Sequence, residues 1–374
     1  MSEINDVCEG AERQEPKVSV IMPIYNAYDY LVPAMDSVID QTLKEIEIIC
    51  IDDGSTDHSL DILKEYQNVD HRVRIVTETN AGPAVARNNG MRRARGEYVA
   101  FLDADDFFEP TMLEKLYAEA IEKDLDIAIA RYDIYNSKTA RFRENVESDH
   151  GDIYDGGVVT SKSEYPDHIL QSTTGSAWNK LFRREFLEEK GIQFLTEVKM
   201  FEDVYFTVCA LALAERVGKL PEVLMHHRIY NEQSRARLFK KYYTQVPLVY
   251  SEIKRFLMKS GIYQPLVKSF LNLSCSRCYH VYNLLGADEK EKLWDMLHEG
   301  YAIELGWNDH PVDDFERAEI CAFCANVEMY THDQYRKRLA RGRRLEQDEI
   351  DKKLKRNYRK KYLVSLFKRK NKKK

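Results

Sequence analysis

What this chain lacks narrows it before any motif is read. No stretch approaches the roughly 18 consecutive apolar residues that a bilayer-spanning helix needs. Met1 to Glu15 is polar and acidic, unlike the charged-then-apolar pattern of a secretory signal peptide. Cysteine is sparse and odd in number, seven scattered over 374 residues, which argues against a disulfide framework and for a reducing cytosol. No internal repeat is evident. Positive charge is also missing from most of the chain. The net charge is −6, and residues 341–374 carry 16 Lys and Arg against 4 Asp and Glu, leaving 40 against 58 for everything before them. An acidic body with a basic tail is not the footprint of a nucleic-acid enzyme, whose positive charge would surround its groove. With 44% hydrophobic and 32% charged residues, the chain reads as a globular protein of one large or two modest domains.

What is present begins with alternating periods. Val18 to Met22 reads as a strand, and Ala27 to Gln41 has helical spacing. Ile46 to Ile51 is almost continuously apolar, as expected of a strand covered on both faces. Ser55 or Thr56 is placed to cap a second helix. A third strand spans Arg72 to Val76, a small-residue helix Gly82 to Arg95, and a fourth strand Glu97 to Leu102. A helix over Pro110 to Lys123 leads to a strand at Asp126 to Ala130. This alternation predicts an α/β domain with a Rossmann-like, doubly wound, mostly parallel sheet. From Tyr132 to Gly175 the pattern weakens to extended excursions with one helix over Lys162 to Leu170. Ala177 to Lys190 and Glu202 to Glu215 are expected to be helical. After Ser234 nearly everything has helical spacing, broken near Gly261, Gly286 and Gly306, and the last helix, from about Asp313, is expected to run into the tail. The organisation expected is a disordered stretch over 1–16, an α/β domain over 17–233, an all-helical module over 234–345 and a basic, partly helical tail over 346–374.

Each βα junction of the first domain carries polar residues where a ligand would sit. They are Pro23, Tyr25 and Asn26 after the first strand, Asp52 to Ser55 after the second, and Glu78 to Gly82 after the third. Arg87 and Asn88 lie in the following helix. The fourth strand ends in Asp103-Ala104-Asp105-Asp106, three carboxylates after an apolar run. Asn, Asp and Gly favour loops for local reasons, and Asp106 is expected to cap the helix near Pro110. Four such junctions at one sheet edge are harder to explain as turns, and oxygen donors there suit a hard divalent cation. Two Cys-x-x-Cys pairs, Cys275/Cys278 and Cys321/Cys324, lie inside helical apolar patterns without the turns of a zinc knuckle, and are expected to be core.

Together, Val18 to Asn26, Ile51 to Asp57, Asn80 to Gly82 with Ala86 to Asn88, and Phe101 to Asp106 resemble the family 2 glycosyltransferases. Trp178-Asn179-Lys180 with Leu181 to Arg184, followed by Glu202-Asp203, is similar to a branch making bacterial surface polysaccharides. The resemblance covers roughly Lys17 to Tyr230. It implies a GT-A fold, a nucleotide-sugar donor such as a UDP-sugar, a saccharide or lipid-linked acceptor, Mg²⁺ or Mn²⁺, and inversion at the anomeric carbon. It places the metal on Asp105, with His227 a further ligand, and the nucleotide against Pro23, Tyr25, Asn26, Asp53, Arg87 and Asp103. It makes Asp203 the general base and Glu202 and Trp178 acceptor contacts. His226 and His227, adjacent on a strand, point to opposite faces, so at most one reaches the metal. The tail, with Tyr362 to Phe367 between basic clusters, fits an anionic lipid surface. The expectation is a cytoplasmic protein, from its cysteine usage, that meets the inner face of the plasma membrane if the tail binds lipid rather than fraying in solvent. Two other classes fit less well. A sugar-nucleotide nucleotidyltransferase wants a Gly-rich loop where Pro23 to Asn26 stands, and a non-catalytic scaffold of an assembly complex has no need of Asp103, Asp105 and Asp203. Sequence alone leaves the oligomeric state open.

Overall fold

β-Branched and other large apolar side chains dominate the first two strands, and burial on both faces is what they require. In β1 (Val18–Ile24) and β2 (Ile46–Asp52) nearly every side chain is buried. The computed structural model describes residues 15–145, 159–229, 239–310 and 314–341. By its internal packing the chain divides into two units that interleave in sequence. Among the described residues, one comprises 15–143 with 178–189 and 220–229; the other comprises 144–145, 159–177, 190–219, 239–310 and 314–341. The expected domain boundaries at 233 and 345 lie outside the described residues, as do residues 1–14 and 342–374, the whole of the expected tail.

The first unit is built on a mixed sheet. β1 pairs in parallel with β2, β2 with β3 (Val73–Thr77), and β1 with β4 (Tyr98–Phe101). The helices α1 (Tyr28–Ile39), α2 (Ser59–Val69) and α3 (Pro83–Met91) connect these strands. Beyond β4 the sheet turns antiparallel, through β8 (Lys180–Arg183) and β6 (Ile127–Asn136) to β9 (Val217–Ile229) and the short β5 (Phe107–Phe108), with β7 (Arg141–Glu144) on β6. α4 (Met112–Glu122) packs on β6, and α5 (Arg184–Glu189) follows β8.

Close backbone approach fixes this packing. A Cβ on Gly96 would lie 2.5 Å from the Ser19 nitrogen, and one on Gly90 would lie 2.4 Å from Ile21 Cγ2, so both positions require glycine. Pro23 interrupts a central strand, which Pro ordinarily cannot do. It lies where β4's pairing with β1 has ended: that pairing stops at Phe101, and the Leu102 N–H donates to the Ile21 carbonyl. At the opposite end of the strands Glu47, only 3% exposed, accepts hydrogen bonds from Ser19 Oγ (2.7 Å), Arg74 Nη1 (2.6 Å) and the Arg95 N–H (2.7 Å). Burial raises its pKa, but these donors outweigh burial and hold it below the ordinary Glu value.

Three expectations are corrected here. Residues 177–190 are not one helix: Lys180–Arg183 is a strand, paired antiparallel to both β4 and β6. Leu181 and Phe182 are both fully buried, and a short apolar run has no periodicity that separates strand from helix. Lys162 to Leu170 forms turns and a 3-10 segment, Ile169–Gln171, because Pro166 cannot sit inside a helix. Neither Ser55 nor Thr56 caps α2; the Ser59 N–H is taken by Asp57 Oδ1 at 2.9 Å.

The second unit is mainly helical: α6 (Glu202–Leu213), α7 (Phe239–Tyr242), α8 (Gln245–Lys259), α9 (Val267–Leu284), α10 (Ala287–Met296), α11 (Ala302–Leu305), α12 (Ala318–Met329) and α13 (His332–Arg341). The breaks fall at the expected glycines. Gly261 (φ 73°) follows α8, Gly286 caps α10, and Gly306 (φ 82°) ends α11. The helix expected from about Asp313 is instead two, divided at Tyr330 and Thr331. There a capping box forms, with Gln334 accepting from the Thr331 N–H and Thr331 Oγ1 accepting from the Gln334 N–H. Cys275 and Cys278 on α9 and Cys321 and Cys324 on α12 are buried core, and no four-thiolate metal group occurs among the described residues. No helix among the described residues is long and apolar enough to cross a membrane.

Candidate active site

Strands that end together bring their junctions together. At the carboxyl ends of β1, β2 and β3 the loops are tied to one another by backbone and side-chain bonds. The Asp53 N–H donates to the Ile24 carbonyl (2.8 Å) and the Glu78 N–H to the Asp52 carbonyl (2.9 Å). Asn26 adopts a left-handed conformation (φ 49°), which Asn tolerates better than most residues. Its N–H donates to Ser55 Oγ, and its Oδ1 accepts from the Thr56 N–H at 2.8 Å. Asp52 Oδ1 accepts from the Ser55 N–H (3.1 Å), which is turn support. Gly54 (φ 72°) is needed twice over, for its φ and because a Cβ there would lie 3.0 Å from the Asn80 nitrogen. Tyr25 stands at this edge with half of its surface exposed.

Asp53 is 3% exposed, and its two oxygens accept from the Ala81 N–H (2.7 Å) and the Gly82 N–H (2.8 Å). Burial raises its pKa against those two donors, and the neighbouring Glu78 and Asp52 add to the rise. A carboxylate has lone pairs beyond the two used here, so it keeps capacity for a further donor. Gly82 (φ 97°) caps α3, whose first residue is Pro83. One turn along, Arg87 is buried and pairs with Asp103 through Nη2 and Oδ1 at 2.5 Å. The expected nucleotide-contacting arginine thus belongs to the same cluster as the aspartates.

Asp103, Asp105 and Asp106 offer oxygens that all lie within 4.8 Å of one another. Three carboxylates so close repel, and Asp103 and Asp106 are countered differently. Asp103 has Arg87. Asp106, with no exposed surface, accepts from the Arg228 N–H (2.8 Å) and from His227 Nδ1 (3.1 Å). Asp106 therefore does not cap the helix near Pro110, as expected from sequence; it ties the turn to β9. Burial opposes charge on His227, but Asp106, Asp105 and Asp103 outweigh burial and push its pKa up to about 9. His227 stacks on Trp178 (centroids 5.4 Å apart, 8° between planes), and Trp178 in turn meets Tyr132 edge-on at 4.5 Å. Trp178 is only 7% exposed. His226 faces the other way, bonding Asp133 through Nδ1 (2.6 Å) and Glu109 through Nε2 (2.8 Å), as strand alternation requires.

The sheet unit thus carries Pro23, Tyr25, Asn26, Asp53, Arg87, Asp103, Asp105, Trp178 and His227, while Glu202 and Asp203 belong to the helical unit. Both acids lie in the first turn of α6, where the helix dipole favours the charged form. Glu202 is buried, and Asp203 Oδ1 accepts from the Val204 N–H at 2.9 Å. Phe201, just before them, is held at φ 69°, a strained conformation for an aromatic residue. Gly175 lies so close to α6 that a Cβ would fall 2.9 Å from Val204 Cγ2. Sequence reasoning missed the jobs of Asp106, Asp133 and Arg228. The period-2 alternation of residues 226–228 carried a signal for which face each side chain takes, but not for its partner.

Comparisons with known proteins place the chain's family and fold. The family model described as Glycosyl transferase family 2 matches residues 19–191. EpsH of Bacillus subtilis (strain 168) is 30% identical over 271 residues, 71% of this chain and 77% of EpsH. Glycosyltransferase GlyA of Streptococcus pneumoniae serotype 4 is 34% identical over 217 residues, 58% of this chain but only 31% of GlyA. Among solved structures, S. aureus TarS 1-349 in complex with UDP-GlcNAc superposes with a TM-score of 0.70 at 22% identity, covering 88% of this chain and 93% of that one. At that identity the likeness is one of fold, and the fold shared is GT-A.

Proposed function

The chain belongs to glycosyl transferase family 2, and on that premise we propose that it inverts a sugar as it moves it from a UDP-sugar to a saccharide or lipid-linked acceptor in cell-surface polysaccharide synthesis. The observation that carries this reading is the group of Asp103, Asp105 and Asp106 at the sheet edge, with Arg87 against Asp103. Such a donor set suits a hard divalent cation, Mg²⁺ or Mn²⁺. Asp105 would hold the ion, with His227 as a second candidate and Asp103 toward the ribose or a metal-bound water. Asp106 accepts from the Arg228 N–H and from His227, which ties this group to β9. When bound, the ion neutralises charge on the departing diphosphate.

The remaining work falls to the chain's own groups. Asp53 accepts the uracil N3–H with its unused lone pairs, while Tyr25, Asn26 and Pro23 border the base. Arg87 keeps Asp103 oriented and adds positive charge beside the phosphates. Asp203 takes the proton from the acceptor hydroxyl as it attacks, with Glu202 an acceptor contact beside it. Trp178 supports the acceptor side and fixes the ring plane of His227. The resemblance of the 178–184 and 202–203 motifs to surface-polysaccharide enzymes supports the acceptor class, and the UDP-GlcNAc held by TarS supports the nucleotide.

The test is incubation with UDP-sugars, Mn²⁺ and candidate acceptors. Free UDP is the expected product. Pyrophosphate release would indicate nucleotidyl transfer instead, and silence across broad panels would favour the scaffold. The excess of basic residues after Gly342 supports a second part of the proposal, that the protein meets anionic lipid there. Deleting those residues should lower binding to phosphatidylglycerol vesicles, with the wild-type difference vanishing in high salt. Equal binding of both forms at low salt would remove the lipid role.

A further inference from the structure

Asp105 is aligned by a device that the sequence motif does not contain. β5 pairs antiparallel with β9, Phe107 opposite His226 and Phe108 opposite Met225, which carries residues 227 and 228 alongside the preceding turn. Arg228 then grips that turn twice. Its backbone N–H donates to Asp106 Oδ1 at 2.8 Å, and its Nε donates to the Asp105 carbonyl at 2.7 Å. The guanidinium itself lies over three aromatic rings: Tyr135 at 5.0 Å, Phe107 at 5.2 Å and Tyr30 at 5.6 Å. Such cation–π contacts strengthen as the cation is desolvated. Rings supplied by α1, β5 and β6 therefore set the plane of the guanidinium, and the plane sets where Nε points.

The turn needs this restraint. Its backbone closes through the Asp106 N–H to the Asp103 carbonyl at 3.1 Å, while three carboxylates within 4.8 Å push one another apart. We propose that Arg228 is a positioning residue for the divalent cation, fixing the backbone on either side of the Asp105 side chain through the Asp105 carbonyl and the Asp106 carboxylate. The role rests on the metal-dependent reading above. It is specific to arginine: a planar group can face three rings and donate sideways from Nε in one pose, whereas lysine places its only donors at the tip of its chain.

The test compares Arg228→Lys, Arg228→Met and Asp105→Ala with wild type. Mn²⁺ is titrated into nucleotide-free protein by electron paramagnetic resonance, alongside thermal midpoints and the Mn²⁺ dependence of turnover. Removing an outer-shell partner of a metal ligand typically costs about 10- to 100-fold in metal affinity. Arg228→Lys is expected to show a loss in that range with a nearly unchanged midpoint, and with turnover recovered at high Mn²⁺. Arg228→Met should lose at least as much, and if it fails to fold, Arg228→Lys carries the test. A lowered midpoint with wild-type Mn²⁺ affinity would make Arg228 merely structural and overturn the inference. So would unchanged Mn²⁺ affinity with weaker UDP binding at saturating Mn²⁺, the mark of a direct phosphate contact. If Asp105→Ala itself keeps wild-type Mn²⁺ affinity, the metal reading fails, and the inference with it.

Discussion

Asp203→Asn is expected to lower turnover by about 10²- to 10⁴-fold, the span typical of a lost general base, while leaving UDP-sugar affinity within error of wild type. The amide keeps the size of the carboxylate and can still accept the Val204 N–H through its oxygen, so α6 should start as before. Only the capacity to take a proton disappears. Turnover at saturating donor, set beside donor affinity from calorimetry, separates the two effects. A loss of affinity at unchanged turnover would move Asp203 from proton transfer to donor binding. Because Asp203 sits in a helix first turn, where an N-terminal carboxylate is commonplace, a third outcome with neither quantity changed would reduce it to helix chemistry.

Asp105→Ala should abolish the Mn²⁺-dependent part of UDP binding. Wild type should bind UDP much more tightly with Mn²⁺ than with EDTA; the variant should bind it equally and weakly in both. Asp105 is a cleaner probe than its neighbours. Removing the Asp103 carboxylate takes away the ion pair with buried Arg87, and removing that of Asp106 leaves the Arg228 N–H and His227 without their acceptor in a buried setting. Either change would mix folding with binding. Wild-type Mn²⁺ dependence in Asp105→Ala would take this residue out of the metal shell.

The parallel half of the sheet was legible because its signals are local. Strands β1 to β4 announce themselves by apolar runs bounded by Asn, Asp and Gly, and the junctions that follow them hold the aspartates and asparagine the structure gathers at one edge. The antiparallel half was not. Lys180–Arg183 reads as helix until β4 and β6 are known to lie on either side of it, a fact about residues some 50 and 80 positions away. Asp106 looks like a helix cap for the same reason: the groups that claim it, His227 and the Arg228 N–H, come from β9. The interleaving of two packing units was equally hidden, since nothing local marks residues 159–177 or 190–219 as belonging with the helices. Sequence therefore revealed which polar residues meet at the sheet edge better than it revealed what holds them in place.

The most direct test of that edge is anomalous diffraction at the manganese absorption edge from crystals grown with Mn²⁺ and UDP. A peak is expected within coordination distance of an Asp105 oxygen and beside the UDP phosphates, with the uracil beside Asp53, consistent with the preference of such ions for oxygen donors. Manganese held elsewhere, or UDP bound away from Asp53 and Asp105, would contradict the account.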